Sequence, residues 1–230
     1  MIPPRKTSLV ATAAAAAASA LAYPFLPTRV ATHFDARSRP DRYAARSIAV
    51  LRSPAMMAAL ALMNERLGAW PGARDRDNAD SGVRARAEAV GLCELAVLLT
   101  HLALLARGLG LPLDMHRVGR AVYSVLIVAL GNVLPKLPRN GLVGIRTPWT
   151  LADPAVWERT HRLAGYLCTV AGLISLASLP VTGKRAERIP MLALLGAIGF
   201  SAVYSALAPG QVRRGGDRPP FGGQPSALRD

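Results

Sequence analysis

The sequence has few of the residues that stabilise small secreted domains or stack on nucleic acid bases. Two cysteines in 230 residues cannot form a disulfide framework. Aromatic residues make up 5% and charged residues 18%, against roughly 25% charged residues in an average soluble domain. Acidic residues are the scarcer sign, because 14 Asp and Glu accompany 28 Lys and Arg and leave a net charge of +14. Apolar residues reach 51%, which excludes disorder over most of the chain.

The positive charge is compatible with a nucleic acid, with an anionic membrane surface or with the loops of a membrane protein. A nucleic-acid module would place its basic residues on helix faces or in grooves, among stacking aromatic residues. Here the basic residues fall between long apolar stretches. The pattern therefore favours a membrane protein that contacts the lipid bilayer and has no direct nucleic-acid partner.

Six apolar stretches predict six transmembrane helices, and hence an all-α, polytopic membrane helix bundle. Each is close to the roughly 20 residues that a helix needs to cross a hydrocarbon core about 30 Å thick. None alternates with a period of two residues, so helices are the favoured spanning structure. The stretches are Thr7–Leu26, Ser47–Leu67, Ala87–Leu105, Val118–Leu134, Leu163–Val181 and Pro190–Leu207.

Polar connections divide this chain into four parts. We expect an N-terminal transmembrane helix pair with an extracytoplasmic loop (1–70), a cytoplasmic linker (71–86), a four-helix membrane region (87–208) and a disordered tail (209–230) rich in Gly, Pro and Arg. The first stretch has a rival interpretation as a signal peptide, because Arg5 and Lys6 precede an apolar run that ends in Ala-Leu-Ala. The run is long for a signal, so we expect it to be retained as a helix.

Basic residues in the connections predict the orientation. Lys and Arg are more numerous on the side that holds both termini than on the other side, so both termini are predicted to be cytoplasmic. The protein would then be a multi-pass protein of the cell's inner (plasma) membrane. Arg52, in the first turns of the second stretch, should extend toward the head groups. The predicted outer loops are Pro27–Arg46, Gly108–Arg117 and Thr182–Arg188.

Two ionisable residues lie inside the third stretch. Glu94 and His101 are seven residues apart, so they share one helix face and lie about 10 Å apart along its axis. Ionisable groups at membrane depth often serve ion pathways or ligand sites. The alternative is a polar patch that faces the bundle and is satisfied by a tyrosine, a serine or the backbone of a neighbouring helix. Both interpretations stay open at this point.

No motif of an enzyme is present. The sequence has no G-x-S-x-G, H-E-x-x-H, P-loop or G-x-G-x-x-G pattern, so we expect no enzyme and predict no catalytic or cofactor-binding residues. No metal site is predicted, because the histidines are scattered and the cysteines stand alone. Cys93 and Cys168 are instead expected to be small packing residues.

The connection between the fourth and fifth stretches is the most unusual segment. Pro148 excludes helical geometry at Thr147, which predicts a turn over Gly144–Thr150. Asp153 should then cap a helix whose first residue is Pro154. The spacing of Thr150 and Asp153 also suggests a capping box with Asp in place of Glu.

Two interpretations of this turn remain open. In the first it is an interfacial elbow, in which Trp149 and Trp157 anchor at the head groups. In the second it is a shaped cytoplasmic surface for a partner. Arg146, the cation of the turn, would bind carbonyl groups at the end of the fourth span or a lipid phosphate.

The run Gly131-Asn132-Val133-Leu134-Pro135-Lys136, followed by Asn140 and by Gly144-Ile145-Arg146-Thr147-Pro148-Trp149-Thr150-Leu151, resembles the signature of the SdpI family of bacterial membrane immunity proteins. Asp153, Val156-Trp157 and His161-Arg162 continue the resemblance. A weaker match, Leu26-Pro27 with His33-Phe34-Asp35 and Pro40-Asp41, is similar to a short domain of unknown function that often precedes the SdpI region. Here Ser38 and several arginines replace the usual glycine of that loop.

The resemblance implies six membrane helices and an immunity function. Such a protein would bind or resist a secreted, membrane-active peptide and relay its presence in signal transduction by holding a cytosolic repressor at the membrane. A small-solute or proton-coupled transporter, or a membrane enzyme, that uses Glu94, His101 and Asn132 is the alternative. The resemblance assigns the partner-binding motif to Gly131, Asn132, Pro135, Lys136, Asn140, Gly144, Arg146, Thr147, Pro148, Trp149, Thr150, Trp157 and Arg162, with His33, Glu94 and His101 as secondary candidates.

Overall fold

Long helices and one short hairpin make up the computed structural model, which describes residues 4–35, 38–68, 79–140 and 143–208. Short 3-10 turns follow α1 (Tyr23–Phe25) and α4 (Leu134–Lys136). The elements in chain order are α1 Pro4–Ala22, β1 Arg29–Phe34, β2 Pro40–Ala45, α2 Arg46–Gly68, α3 Ala79–Gly108, α4 Met115–Val133, α5 Pro148–Ala152, α6 Pro154–Ala177 and α7 Lys184–Leu207.

Within the described residues, five helices are long and apolar enough to cross a membrane: α1, α2, α3, α4 and α7. The predicted helical membrane bundle is confirmed. The fifth predicted stretch lies in α6, which packs closely against α4 and α7. This helix begins well before the apolar stretch and includes Arg159, His161 and Arg162, and it is not one of the five helices identified by length and composition. The count of six spans stays a prediction.

Two apolar clusters form the interior. One joins α1, α2 and the C-terminal end of α3 around Ala22, Leu26 and Leu105. The other joins α4, α6 and α7 around Ile127 and Cys168. Since α3 also contacts α4, it connects the two groups of helices.

The first predicted outer loop contains an antiparallel hairpin that the sequence did not indicate. β1 and β2 pair from Arg29 opposite Ala45 to Phe34 opposite Pro40, with irregular register near the turn. Ser38, at a φ of +57°, accepts a hydrogen bond from the His116 amide (2.8 Å) and donates one to Asp114, the residue that caps α4. The Ser38 hydroxyl and the Arg117 amide together lower the pKa of Asp114. The hairpin is therefore attached to the connection between α3 and α4.

The linker expected at 71–86 stays a prediction. Its second half is helical, because α3 begins at Ala79. Residues 71–78 and the tail predicted to be disordered, 209–230, lie outside the described residues.

The backbones of α4 and α6 approach each other closely at two glycines. A Cβ atom built on Gly131 would lie 2.7 Å from the Gly165 carbonyl oxygen, and one built on Gly165 would lie 2.7 Å from the Gly131 oxygen. Small residues of this kind allow membrane helices to pack at short distance. The contact fixes the end of α4 against α6, directly before the turn.

We expect Gly131→Ala to lower the free energy of unfolding by about 1–3 kcal/mol, because the added methyl group must push two backbones apart. Gly119→Ala is the matched control, since it lies in the same helix and a Cβ there meets nothing within 4 Å. Thermal unfolding of both variants in detergent measures the difference. Equal midpoints for Gly131→Ala and Gly119→Ala would contradict the close contact.

Candidate functional site: the turn between α4 and α6

The segment after α4 is held at its start by polar contacts. Lys136 Nζ lies 3.2 Å from Glu88 Oε2 of α3. Asn140 closes the next loop, since its Nδ2 donates to the Pro138 carbonyl and its Oδ1 accepts from the Val143 amide, both at 2.8 Å. Pro135 is exposed to solvent or lipid on one side and lies against the position of Gly165 on the other.

Gly144 is required by two independent features. Its φ of +116° is a conformation that side chains disfavour. A Cβ atom there would also collide with His161 Nε2 and approach the Trp157 ring to 3.1 Å. The glycine thus lets the turn lie directly on two aromatic side chains of α6.

His161 joins the turn to α6 through both ring nitrogens. Nε2 accepts a hydrogen bond from the Ile145 amide (3.0 Å), and Nδ1 donates to the Trp157 carbonyl (2.9 Å). The ring also stacks on Trp157 with centroids 4.0 Å apart. Since an amide cannot accept and a carbonyl cannot donate, these contacts define a neutral imidazole with its proton on Nδ1.

Trp157 is not at the head groups, as one interpretation expected. It is 3% exposed, and its Nε1 donates to the Leu137 carbonyl at 2.8 Å. Trp157 stays a predicted motif residue, and its side chain lies in the interior. His161 belonged to the matched run and was not among the predicted site residues. The i, i+4 spacing of Trp157 and His161 on one helix was the signal that could have indicated their stacking.

A capping box is present, but it is not the predicted one. Thr147 caps α5, with its amide donating to Thr150 Oγ1 (2.9 Å) and its Oγ1 accepting from the Thr150 amide (3.2 Å). The predicted pair of Thr150 and Asp153 is therefore wrong, because α5 begins inside the turn and takes Thr150 as its third residue. Asp153 caps α6, with Pro154 at the first position, as expected.

Two further hydrogen bonds connect α5 to the bundle. The Thr147 and Ser205 hydroxyls lie 2.8 Å apart, which links the turn to α7. Thr150 Oγ1 donates to the Ile145 carbonyl, also at 2.8 Å, and Thr150 is fully buried. The predicted turn is thus an ordered structure with contacts to both α6 and α7.

The outer side of the turn carries exposed residues. Trp149 is 50% exposed, and Pro148 and Arg146 are exposed beside it. Arg146 makes no hydrogen bond with the described residues, so the expected bond to carbonyls of the fourth span is not formed. Arg139 instead binds a carbonyl group of α5, since its Nη1 donates to the Leu151 carbonyl at 2.9 Å. The turn therefore presents a cation and an aromatic ring on an ordered backbone.

The remaining motif residues and secondary candidates lie elsewhere. Arg162 pairs with Glu158 on α6, and Asn132 is exposed on α4. His33 Nδ1 lies 2.6 Å from Asp41 Oδ1 in the hairpin. Glu94 and His101 are buried in α3, so Asn132 does not belong to a common buried path with them.

The two cysteines lie in different environments. Cys168 is fully buried in the α4–α6–α7 cluster, as predicted, whereas Cys93 is exposed, so its predicted packing role is wrong. Among the described residues, no group of three His, Cys, Asp or Glu side chains could hold a metal ion.

Trp157→Phe should lower the free energy of unfolding by about 1–3 kcal/mol, because it keeps the stacked ring and leaves the buried Leu137 carbonyl without its donor. Trp149→Phe makes the same change at an exposed ring and should be nearly neutral. Chemical or thermal unfolding in detergent, followed by circular dichroism, compares the two variants. A Trp157→Phe midpoint equal to that of Trp149→Phe would show that the hydrogen bond contributes nothing.

Comparison with known proteins agrees with the sequence motifs. The SdpI/YfhL protein family matches residues 136–208, and a domain of unknown function, DUF1648, matches residues 10–58. Immunity protein SdpI of Bacillus subtilis (strain 168) is 32% identical over 111 residues, which cover 48% of this chain and 53% of that relative. The chain thus spans about half the length of the curated relative it matches. No solved structure matches it.

Proposed function

Because this chain carries an SdpI-family region preceded by a DUF1648 region, we propose that it is an immunity-type protein of the inner (plasma) membrane that binds or resists a membrane-active peptide. The relative's name, immunity protein, supports this class of function. The finer proposal has two parts, one for each end of the bundle.

The observation that carries the proposal is the exposed side of the turn. An ordered backbone that presents Arg146 and Trp149 is pre-organised for a protein partner, because little conformational entropy is lost on binding. Arginine and tryptophan are also the residue types enriched at interaction hot spots. In the proposed topology this surface faces the cytoplasm, where it holds a cytosolic repressor and relays the presence of the peptide.

The opposite end of the bundle is the proposed site for the peptide. Two of the predicted outer loops are in contact there, through Ser38 and the Asp114–His116 segment. Arg120, in the second turn of α4, donates to the Ser178 carbonyl (2.8 Å) and the Val181 carbonyl (3.1 Å), directly before the third loop. These contacts support a common location for the three loops at one end of the bundle.

Alkaline phosphatase fused after Val181 should be active, because that position lies at the proposed outer face. The same reporter fused after Pro209 should be inactive, since both termini are proposed to be cytoplasmic. Immunoblots of the fusions control for abundance. The reverse pattern of activity would overturn the orientation.

The role of Arg146 is tested with substitutions at matched membrane abundance. Arg146→Ala should abolish repressor capture or reporter induction, and Arg146→Lys should fail to restore it if the partner uses the planar, bidentate guanidinium. Arg66→Ala removes an exposed cation on the same proposed face and is the control. Full function of both Arg146 variants would show that the turn contributes no partner contact.

A further inference from the structure

Glu94 and His101 are the two most buried ionisable groups of the α1–α2–α3 bundle, at 1% and 2% exposure. Glu94 Oε1 and His101 Nδ1 have no hydrogen-bond partner among the described residues. Burying such groups without a partner in a low-dielectric interior is costly, so each needs a ligand.

A proline, Pro54, lies inside α2. Proline has no amide hydrogen, so the carbonyl four residues earlier, that of Val50, lacks its helical hydrogen bond. Ser19 of α1 fills this position, because its Oγ donates to the Val50 carbonyl at 2.8 Å. An unsatisfied carbonyl at membrane depth is thereby avoided.

Ser19 also determines the tautomer of His101. Its Oγ lies 2.8 Å from His101 Nε2, but its single hydrogen is already given to Val50. Nε2 must therefore carry a hydrogen and donate it to Ser19. In the neutral ring this leaves a lone pair on Nδ1, for which the described residues offer no donor.

No charged side chain neutralises either group. α1 has no titratable residue from Thr7 to Ala22, and none of the titratable residues on the other elements packed against α3 forms an ion pair with Glu94 or His101 in the described structure. On α3 itself, Glu88 pairs with Lys136, and neither Cys93 nor Arg107 contacts the pair. The residues on the other elements are Arg29 and His33 of β1, Arg46, Arg52, Glu65 and Arg66 of α2, His116, Arg117, Arg120 and Tyr123 of α4, and Lys136 of the 3-10 turn.

We propose that Glu94 and His101 form a proton-transfer pair inside the membrane. Glu94 is the group that binds and gives up a proton, and His101 Nδ1 is the acceptor that receives it. The proton leaves the Glu94 carboxyl oxygen, crosses through bridging water and forms a bond with the Nδ1 lone pair. The pair then consists of a carboxylate and an imidazolium. Nδ1 releases its proton toward one face of the membrane, and the Glu94 carboxylate binds another proton from the opposite face, which restores the starting state.

The positions along α3 suit this role. Glu94 lies seven residues after the start of the span at Ala87, and His101 lies seven residues before its end at Gly108. Each interval, including that between the two residues, is about 10 Å. The two groups thus divide the membrane thickness into three similar steps. This proposal does not depend on the proposed immunity function.

Proton flux is measured on the full chain in liposomes that contain a pH-sensitive dye, under a potassium diffusion potential. Wild-type protein should acidify or alkalinise the interior at least several-fold faster than protein-free liposomes. Glu94→Gln and His101→Gln should each reduce the rate to the protein-free value. Glu187→Gln, the same change on α7, should retain the wild-type rate. A wild-type rate equal to that of empty liposomes, or a Glu94→Gln rate equal to wild type, would overturn the proposal.

Nitrogen-15 spectra of labelled histidines test the tautomer in the wild-type protein, independently of proton flux. Neutral His101 should carry hydrogen on Nε2, opposite to His161, and the two signals are assigned by comparison with His101→Gln. Pro54→Ala should restore a helical donor to Val50, free the Ser19 hydrogen and shift His101 toward the Nδ1–H form. A wild-type His101 that already carries its hydrogen on Nδ1 would refute the assignment.

Discussion

The position of the turn depends on the contacts that the neutral His161 imidazole makes. A single ring accepts from the turn at Ile145, donates to its own helix at Trp157 and stacks on the indole. A protonated ring could not accept the Ile145 hydrogen bond, and among the described residues no other side chain lies as close to the position of a Gly144 Cβ. Gly144, Trp157 and His161 therefore act as one unit, although they are separated along the chain.

The bundle has polar contacts at its ends and small or apolar residues between them. One end carries the hairpin and its contacts to Asp114 and His116, and the other carries the turn and its contact to Ser205. Between the ends, α4 and α6 touch through glycine backbones. The buried Glu94 and His101 side chains of α3 interrupt this pattern.

Local sequence signals predicted the local structure well. Apolar runs predicted the helices, and Asp153 and Pro154 predicted where α6 begins, whereas the short helix α5 inside the predicted turn was not predicted. Contacts between distant residues were not predictable in this way, because nothing near Trp157 in sequence reveals its bond to Leu137. The hydrogen bond from Ser19 Oγ of α1 to the Val50 carbonyl of α2 depends on Pro54 of α2, which has no amide hydrogen to donate to that carbonyl. The hairpin was missed because its two six-residue strands lie among arginines and show no alternation of apolar and polar residues.

The glycine contact between α4 and α6 has a mechanical consequence. Arg120 fastens the end of α6 to the start of α4 at one end of the helix pair, and His161 fastens the turn to α6 toward the other end. Because the backbones also touch at Gly131 and Gly165, near the end of α4, the two helices resist bending relative to each other. A tilt of this helix pair therefore carries the turn with it, and neither helix has to unfold.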